Sequence, residues 1–204
     1  MFAITADQIG SRASADLVDE QLAALDALGG AHLILPADRT AGDEIQAATE
    51  NPATALSLVL HLTRTEHWSV GLGIGDVRLP LPEATRAVTG SAFILARDAV
   101  VAAKKRPTRF AIAVDAGRLP DGDLLEPLID LVLQLRDRRT AQGWQLHDLL
   151  RTGITQAEAA ARLGVTPQAV SLRAHSAQLR TEFAAEMSLV RLLDATGAAP
   201  EGGS

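Results

Sequence analysis

The feature that most restricts the fold of this chain lies near its carboxyl end, where signals for two short helices flank a tight turn. Thr155 and Glu158 fit a capping box, in which the Thr hydroxyl accepts the amide three residues on and the Glu carboxylate accepts the Thr amide. Gly164 suits the end of that helix because glycine adopts left-handed backbone conformations without strain. Thr166 and Pro167 then suit the N-cap and first turn of a second helix. The pattern predicts a helix-turn-helix.

The predicted second helix would present its outer side to double-stranded DNA. Ala160 lets the two helices cross closely, and Leu163, Val165 and Val170 would form their shared core. A helix held in this way enters the major groove, about 12 Å wide, with its amino end near the base edges. The candidate DNA-binding residues are Thr155, Arg162, Thr166, Gln168, Ser171, Leu172, Arg173 and His175.

Different roles are expected within this set. Gln168 can pair with adenine through two hydrogen bonds, whereas Thr155 and Arg162 are candidates for contacts to the DNA backbone. The inward position three residues after Val170 is Arg173, with apolar Leu172 beside it, so the rotation of the second helix stays open by about one residue. The alternative for the whole segment is a helical hairpin that only packs against the rest of the protein.

Net charge limits how such a protein could hold DNA. The formal net charge is −6 over 204 residues, which argues against binding through bulk positive charge. Residues 141–180 contain four arginines against two acidic residues, so the positive charge is local to the predicted helix-turn-helix. The chain has no cysteine, no secretory signal and no segment near the roughly 20 apolar residues of a membrane span. These features predict a cytoplasmic protein without a membrane partner.

The amino-terminal half alternates between apolar runs and helical periodicity. Helices are predicted at about 14–28, 52–66 and 90–104. The predicted strands are Phe2–Ala6, His32–Leu35, Asp43–Ala48, Trp68–Ile74 and Phe110–Val114. Such alternation predicts an α/β or α+β layered domain with a mixed sheet. Gly71 and Gly73 within one strand indicate the close approach of another backbone.

The pattern divides the chain into four segments. We expect an α/β domain at 1–116, connecting helices at 117–152, an all-α helix-turn-helix module at 153–195 and a disordered tail at 196–204.

Four motifs in the first half resemble the SatD family of bacterial proteins, over most of residues 1–103. They are ADQIGSR at 6–12, GDEIQ at 42–46, VGLGIG at 70–75 and GSAFILAR at 90–97. Ala6 and Ile45 stand where the family pattern has Gly and Phe. The resemblance places matching positions at Asp7, Ser11, Arg12, Gly42, Asp43, Glu44, Gln46, Gly73, Gly75, Gly90, Phe93 and Arg97. It also implies a carboxy-terminal helix-turn-helix, which members of the family often carry.

Independently of the family, an Asp after the first strand and an acidic hairpin tip are similar to the metal-binding layout of nucleotide cyclase and palm-type domains. Asp7, Asp43 and Glu44 would then hold Mg²⁺, which would position a triphosphate. The other interpretation is a polar turn in which Asp43 and Glu44 accept hydrogen bonds from Ser11 and Arg12. A pocket that senses a small molecule or nucleotide without catalysis lies between the two.

Together these observations predict a sequence-specific DNA-binding transcription regulator rather than an enzyme, with no required cofactor and an amino-terminal domain for ligand sensing or oligomerisation. We expect a homodimer, because one small module contacts few base pairs. The apolar helices at 124–135 and 183–193 are the candidate interface, although an intramolecular core explains their apolar stripes equally well. The rivals are a metal-dependent nucleotide-binding or nucleotide-processing enzyme, and an adaptor whose helical module binds protein.

Overall fold

The computed structural model describes residues 1–11, 15–40 and 42–198, and these contain five strands and eight α-helices. The strands are β1 (Phe2–Gln8), β2 (Asp38–Arg39), β3 (Glu44–Thr49), β4 (Trp68–Ile74) and β5 (Phe110–Val114). The helices are α1 (Val18–Gly29), α2 (Pro52–Leu62), α3 (Ser91–Ala103), α4 (Gly122–Asp137), α5 (Ala141–Arg151), α6 (Gln156–Leu163), α7 (Pro167–Ser176) and α8 (Leu179–Gly197). The mixed α/β composition expected from the sequence is confirmed.

The strands form one mixed sheet in the order β2-β3-β1-β4-β5. β1 is antiparallel to both of its neighbours, and Ile4 lies opposite Ala47 of β3 and Leu72 of β4. β4 and β5 run parallel. Ala3 and Ile4 point to opposite faces of the sheet and both are buried, so β1 is the centre of the core in this part of the chain.

Helix α3 lies directly on β4 because β4 carries glycine where the two backbones meet. A Cβ atom on Gly73 would lie 2.1 Å from the carbonyl oxygen of Ala92, and a Cβ atom on Gly71 would lie 2.3 Å from that of Ala96. Neither distance leaves room for a side chain. The close backbone approach predicted from the glycine spacing is confirmed, and the neighbouring backbone is that of α3.

The prediction of a strand at His32–Leu35 is wrong. A 3-10 turn at Gly30–His32 follows α1 at once, so the chain is still turning where the strand was expected. Of these four residues, Leu33 makes an isolated β-bridge to Thr49. The strand that pairs with the outer edge of β3 is instead the two-residue β2.

The chain divides into two compact units. The first comprises Met1–Asp130 together with Leu189–Ser204, and the second comprises Leu131–Ser188. The first unit contains the sheet, and the second is built from helices alone.

The end of α8 is ordered further than the sequence predicts. In the first unit, Nη1 of Arg118 donates to the carbonyl oxygens of Thr196 and Gly197, at 3.3 and 3.0 Å. Thr196 is buried, and its hydroxyl donates to the carbonyl of Pro120 at 2.9 Å. The carbonyl of Ala198 accepts from the same Nη1 of Arg118 at 2.7 Å. The expected disorder of 196–204 is therefore wrong for its first three residues, and residues 199–204 lie outside the described part of the chain.

In the second unit, α5, α6, α7 and α8 share one apolar core. Its buried members are Leu146, Ala159, Ala160, Val170, Ala177 and Leu179. Leu163 and Val165 pack against this core as partly buried residues, as the sequence predicts. Across the described residues of both units, no helix has the length and apolar character needed to cross a membrane.

Candidate functional site

Helix α6 begins and ends through local contacts that the sequence predicts. The amide of Thr155 donates to Oε2 of Glu158 at 2.7 Å, and the amide of Glu158 donates to Oγ1 of Thr155 at 3.2 Å, which completes the capping box. The hydrogen bond from the Thr155 amide holds the pKa of Glu158 below its ordinary value. Gly164 follows the helix in the left-handed conformation, with φ 63° and ψ 32°.

Helix α7 starts immediately after the turn. Oγ1 of Thr166 accepts a hydrogen bond from the amide of Ala169 at 3.2 Å, and Pro167 is the first helical residue. Within the turn, the amide of Val165 donates to the carbonyl of Ala160 at 3.1 Å. Because both helix starts and the turn are fixed, the direction of α7 relative to α6 is set by local sequence.

The outer face of α7 is a single stripe of exposed residues. Between the first and last helical residues, Pro167 and Ser176, which are also exposed, it consists of Gln168, Ser171, Leu172 and His175. Their spacing of three and four residues places them on one side of the helix, while Val170 is fully buried on the other. Leu172 is 67% exposed, and Arg173 is half-buried. The rotation that the sequence left open is thereby fixed, with Leu172 facing outward.

The remaining predicted DNA-binding residues lie around this stripe. Thr155 and Thr166 are exposed at the starts of α6 and α7, and Arg162 is exposed near the end of α6. Arg180, at the start of α8, is a further exposed arginine of the second unit. Seven of the eight candidates are therefore solvent-accessible, and Arg173 is the half-buried member.

A buried ionic cluster lies at the carboxyl end of α7. The guanidinium groups of Arg136 and Arg139, on and just after α4, both donate to the carboxylate of Glu182 on α8. The Arg136 Nη1 to Glu182 Oε1 distance is 2.5 Å, and Arg139 Nη2 also donates to the carbonyl of Ala177 at 3.2 Å. The two guanidinium groups lie 4.7 and 4.4 Å from the ring centroid of Trp144, a cation–π arrangement. The cluster thus ties α4, α5 and α8 to the residue that follows α7.

Three buried atoms in or beside this cluster have no hydrogen-bond partner among the described residues. They are Nε of Arg139, Nε2 of His147 and Oε1 of Glu186. Nδ1 of His147 lies 3.0 Å from the carboxylate of Asp148, and Oε2 of Glu186 accepts from Arg151 at 2.5 Å. Burial lowers the pKa of His147 and raises the pKa of Glu186, so both groups are shifted towards their neutral forms.

His147, Glu182 and Glu186 are also close enough to offer one metal-ligand atom each, all within 4.8 Å of one another. Arg136, however, donates to Glu182 and Arg151 donates to Glu186. A divalent cation would therefore face guanidinium groups at short range in a buried site, where like charges repel strongly. The donor set fits arginine better than a metal ion.

The amino-terminal carboxylates of the first unit do not gather into a group of three metal ligands within the described residues. Asp7 pairs with Lys104, with 2.7 Å between Oδ2 and Nζ, and Glu44 Oε1 accepts from the Thr40 hydroxyl at 2.6 Å. Asp43 accepts a hydrogen bond from the Ser11 hydroxyl, as the polar-turn interpretation predicts. Arg12, the other donor of that interpretation, lies outside the described residues. In this arrangement each of the three carboxylates proposed as Mg²⁺ ligands has a protein partner, Lys104, Ser11 or Thr40.

A cavity of about 370 Å³ nevertheless lies beside two of these residues. Its lining consists of Gln8, Ser11, Asp16, Arg39, Gly42 and Asp43. Arg39 Nη2 donates to Asp16 at 2.6 Å, and this hydrogen bond holds the pKa of Asp16 below its ordinary value. The lining offers carboxylate, guanidinium, hydroxyl and amide groups, which suit a small polar ligand.

Sequence reasoning found Ser11 and Asp43 but missed Gln8, Asp16 and Arg39. It also missed the contacts of Arg136 and Arg139 with Glu182, which join residues more than 40 positions apart. The sequence places Arg136 and Glu182 on the apolar sides of their helices, which indicates burial but does not identify the partner of either residue. Comparisons of the chain with protein-family models, curated proteins and solved structures find no match.

Proposed function

We propose that α6 and α7 form a helix-turn-helix, that α7 binds in the major groove of double-stranded DNA, and that the protein is a sequence-specific transcription regulator. One observation carries the proposal: four of the eight residues predicted from the sequence to bind DNA, Gln168, Ser171, Leu172 and His175, form the exposed stripe of α7. The buried side of the same helix is held by Val170 and Ala177. A helix with this division can enter a groove without disturbing its own core.

The charge distribution supports local rather than bulk contact with DNA. Arg162 and Arg180 are exposed near the stripe, whereas the whole chain has a net charge of −6. Arg136 and Arg139 are buried against Glu182 and cannot serve as phosphate contacts. Because each module has few exposed cations, electrostatic attraction would contribute little to the free energy of DNA binding. Base contacts and the pairing of two modules would supply the rest of that free energy.

A homodimer follows from this proposal. Leu124, Leu128 and Leu131 of α4 are exposed, and their spacing of four and three residues is typical of helices that pair. Two modules related by a two-fold axis would contact half-sites about one helical turn of DNA apart.

For the first unit we propose a sensory role, which the polar cavity beside Ser11 and Asp43 supports. Membership of the SatD family and a layered cyclase-like arrangement belong to the same proposal, and they rest on the four motifs together with the five-stranded mixed sheet. A nucleotide is one ligand class to test, by a thermal shift on adding nucleotides with and without Mg²⁺.

The test of the central proposal is binding of the purified full chain to genomic fragments, including the region upstream of its own gene, at about 0.15 M salt. We expect saturable, sequence-selective binding that Gln168→Ala weakens about tenfold, since a bidentate contact to a base contributes about 1–3 kcal/mol. Gln145→Ala, which removes an exposed glutamine from α5, is the matched control and should bind like the wild type.

Other outcomes separate the rivals. The absence of selective binding at any salt concentration would contradict the DNA-binding proposal. Release of phosphate or formation of a cyclic product from a nucleotide, abolished by Asp43→Ala, would instead establish the nucleotide-processing enzyme. Capture of a protein with an affinity indifferent to salt would identify an adaptor.

A further inference from the structure

We infer that α7 reads A·T base pairs, with Leu172 against the methyl group of thymine and Gln168 on adenine, and that it does not read guanine. The inference rests on the proposed function and specifies the base class that the same face recognises. It is carried by the side chains of the exposed stripe, by the position of the nearest arginines and by the exposure of one leucine.

None of the four stripe residues is the type that usually reads guanine. Guanine offers two acceptors in the major groove, O6 and N7, and the side chains that match them are Arg and Lys. The stripe offers an amide, a hydroxyl, an aliphatic side chain and an imidazole, from Gln168, Ser171, Leu172 and His175. At 3.6 residues per turn, these four occupy about 100° of the helix circumference.

The neighbouring arginines lie away from this stripe. Arg173 is displaced by about 150° from its centre around the helix and is half-buried. Arg162 belongs to α6 and Arg180 to α8, so both are placed for the DNA strands that flank the groove rather than for its floor. The positive charge near α7 therefore positions the helix without selecting guanine.

Leu172 is the feature that points to thymine. It is 67% exposed at the middle of an otherwise polar stripe, where it takes no part in the apolar core around Val170. Thymine is the base that presents a methyl group in the major groove, and aliphatic side chains recognise it by excluding water. Gln168 lies one turn before Leu172 on the same side and matches the N6 donor and N7 acceptor of adenine. Together the two side chains fit adenine and thymine on the same or adjacent base pairs.

The experiment first selects bound sites from a random double-stranded DNA pool with the full-length protein. Each thymine of the selected half-site is then replaced singly by deoxyuridine, which lacks only the methyl group, and each adenine by 7-deazaadenine, which lacks N7. We expect one uridine position to weaken wild-type binding about fourfold, the equivalent of one buried methyl group. One 7-deazaadenine position should weaken it about tenfold.

Variants assign these effects to side chains. Leu172→Ala should bind the thymine and uridine sites equally, and Gln168→Ala should bind the adenine and 7-deazaadenine sites equally. Met187→Ala removes another exposed apolar side chain of the second unit and is the matched control, which should keep the full thymine preference.

The possible results distinguish this inference from the proposed function on which it rests. Selective binding with methyl sensitivity that disappears in Leu172→Ala supports the inference. Selective binding to G·C pairs, or methyl sensitivity unchanged in Leu172→Ala, overturns it while leaving the regulator proposal intact. Failure to enrich any sequence overturns the regulator proposal itself.

Discussion

Replacing Glu182 by Gln removes the carboxylate that two buried guanidinium groups share. Glu182 and Arg139 have side chains with no exposed surface, and Arg136 is nearly as buried. The oxygen of the new amide could accept a hydrogen bond from one arginine, but its NH₂ group would face the donors of the other. The substitution therefore removes the negative charge that the two buried guanidinium groups share, while it hardly changes the side-chain volume. Arg136 keeps Glu186, whose Oε1 lies 3.8 Å from its Nη1, whereas Arg139 loses the carboxylate that accepts from its Nη2.

The expected loss of stability is large for this reason. Removing one member of a buried ion pair costs about 3–5 kcal/mol, because the remaining charge stays out of water without compensation. A small domain is typically stable by about 5–15 kcal/mol, so the second unit would lose a substantial part of its stability. Since Arg139 also donates to the carbonyl of Ala177, the loss should extend to the end of α7.

Each unit has its own tryptophan, which allows this loss to be measured locally. Trp144 lies in the second unit under the two guanidinium groups, and Trp68 lies in β4 of the first. In a Trp68→Phe background, urea unfolding followed by Trp144 fluorescence should report a decrease of about 3–5 kcal/mol for Glu182→Gln. Asp194→Asn, an exposed acid on the same helix, should leave the transition unchanged. A decrease below about 1 kcal/mol, the range of exposed ion pairs, would refute the argument from burial.

Two further predictions concern other parts of the chain. Gly73→Ala should destabilise the first unit by about 1–3 kcal/mol or more, because the new Cβ would collide with the backbone of α3. Urea unfolding followed by Trp68 fluorescence measures this loss. The control is Gly122→Ala, whose Cβ would make ordinary contacts and should leave the stability unchanged. Burial keeps the folded pKa of His147 below the value of about 6.5 in the unfolded chain, so the unfolded state binds more protons between these values and stability falls as the pH drops through them. His147→Gln should abolish this loss, and a stability difference between variant and wild type that stays constant from about pH 8 to about pH 5 would contradict the assignment. Glu186, whose folded pKa is raised by burial, acts in the opposite direction: its stabilisation is complete below about 4.3 and is lost as the pH rises through its folded pKa.

The elements that the sequence predicts well are those whose determinants are close together in the chain. The capping box of Thr155 and Glu158 spans four residues, and Gly164 ends the helix that it starts. The strand Phe110–Val114 is found with the predicted bounds because a short apolar run has polar turns on both sides. Such local signals determine where a helix or strand begins and ends.

The failures concern contacts between distant residues. His32–Leu35 is as apolar as a strand, but β3 is already paired with β1 on one side and with β2 on the other. Whether a segment pairs with the edge of a sheet depends on the available pairing partners. Apolar character alone does not decide it. The apolar Ile94 of α3 is 60% exposed, because the glycines of β4 bring the helix so close that Ala92 and Ala96 make the contact.

The same distinction explains why the candidate DNA-binding face could be predicted and the cluster behind it could not. An arginine on a helix is equally compatible with a phosphate contact and with a buried ion pair, and only the partner Glu182, 43 residues beyond Arg139, decides between them. Arg136 and Arg139, two of the seven arginines of the second unit, are buried against Glu182 and are therefore not available to contact DNA. What remains for recognition is a nearly uncharged stripe with a few cations at its edges. Under the proposed function, the selectivity of this module would come from hydrogen-bond pattern and methyl contacts, and its affinity would come from the pairing of two copies.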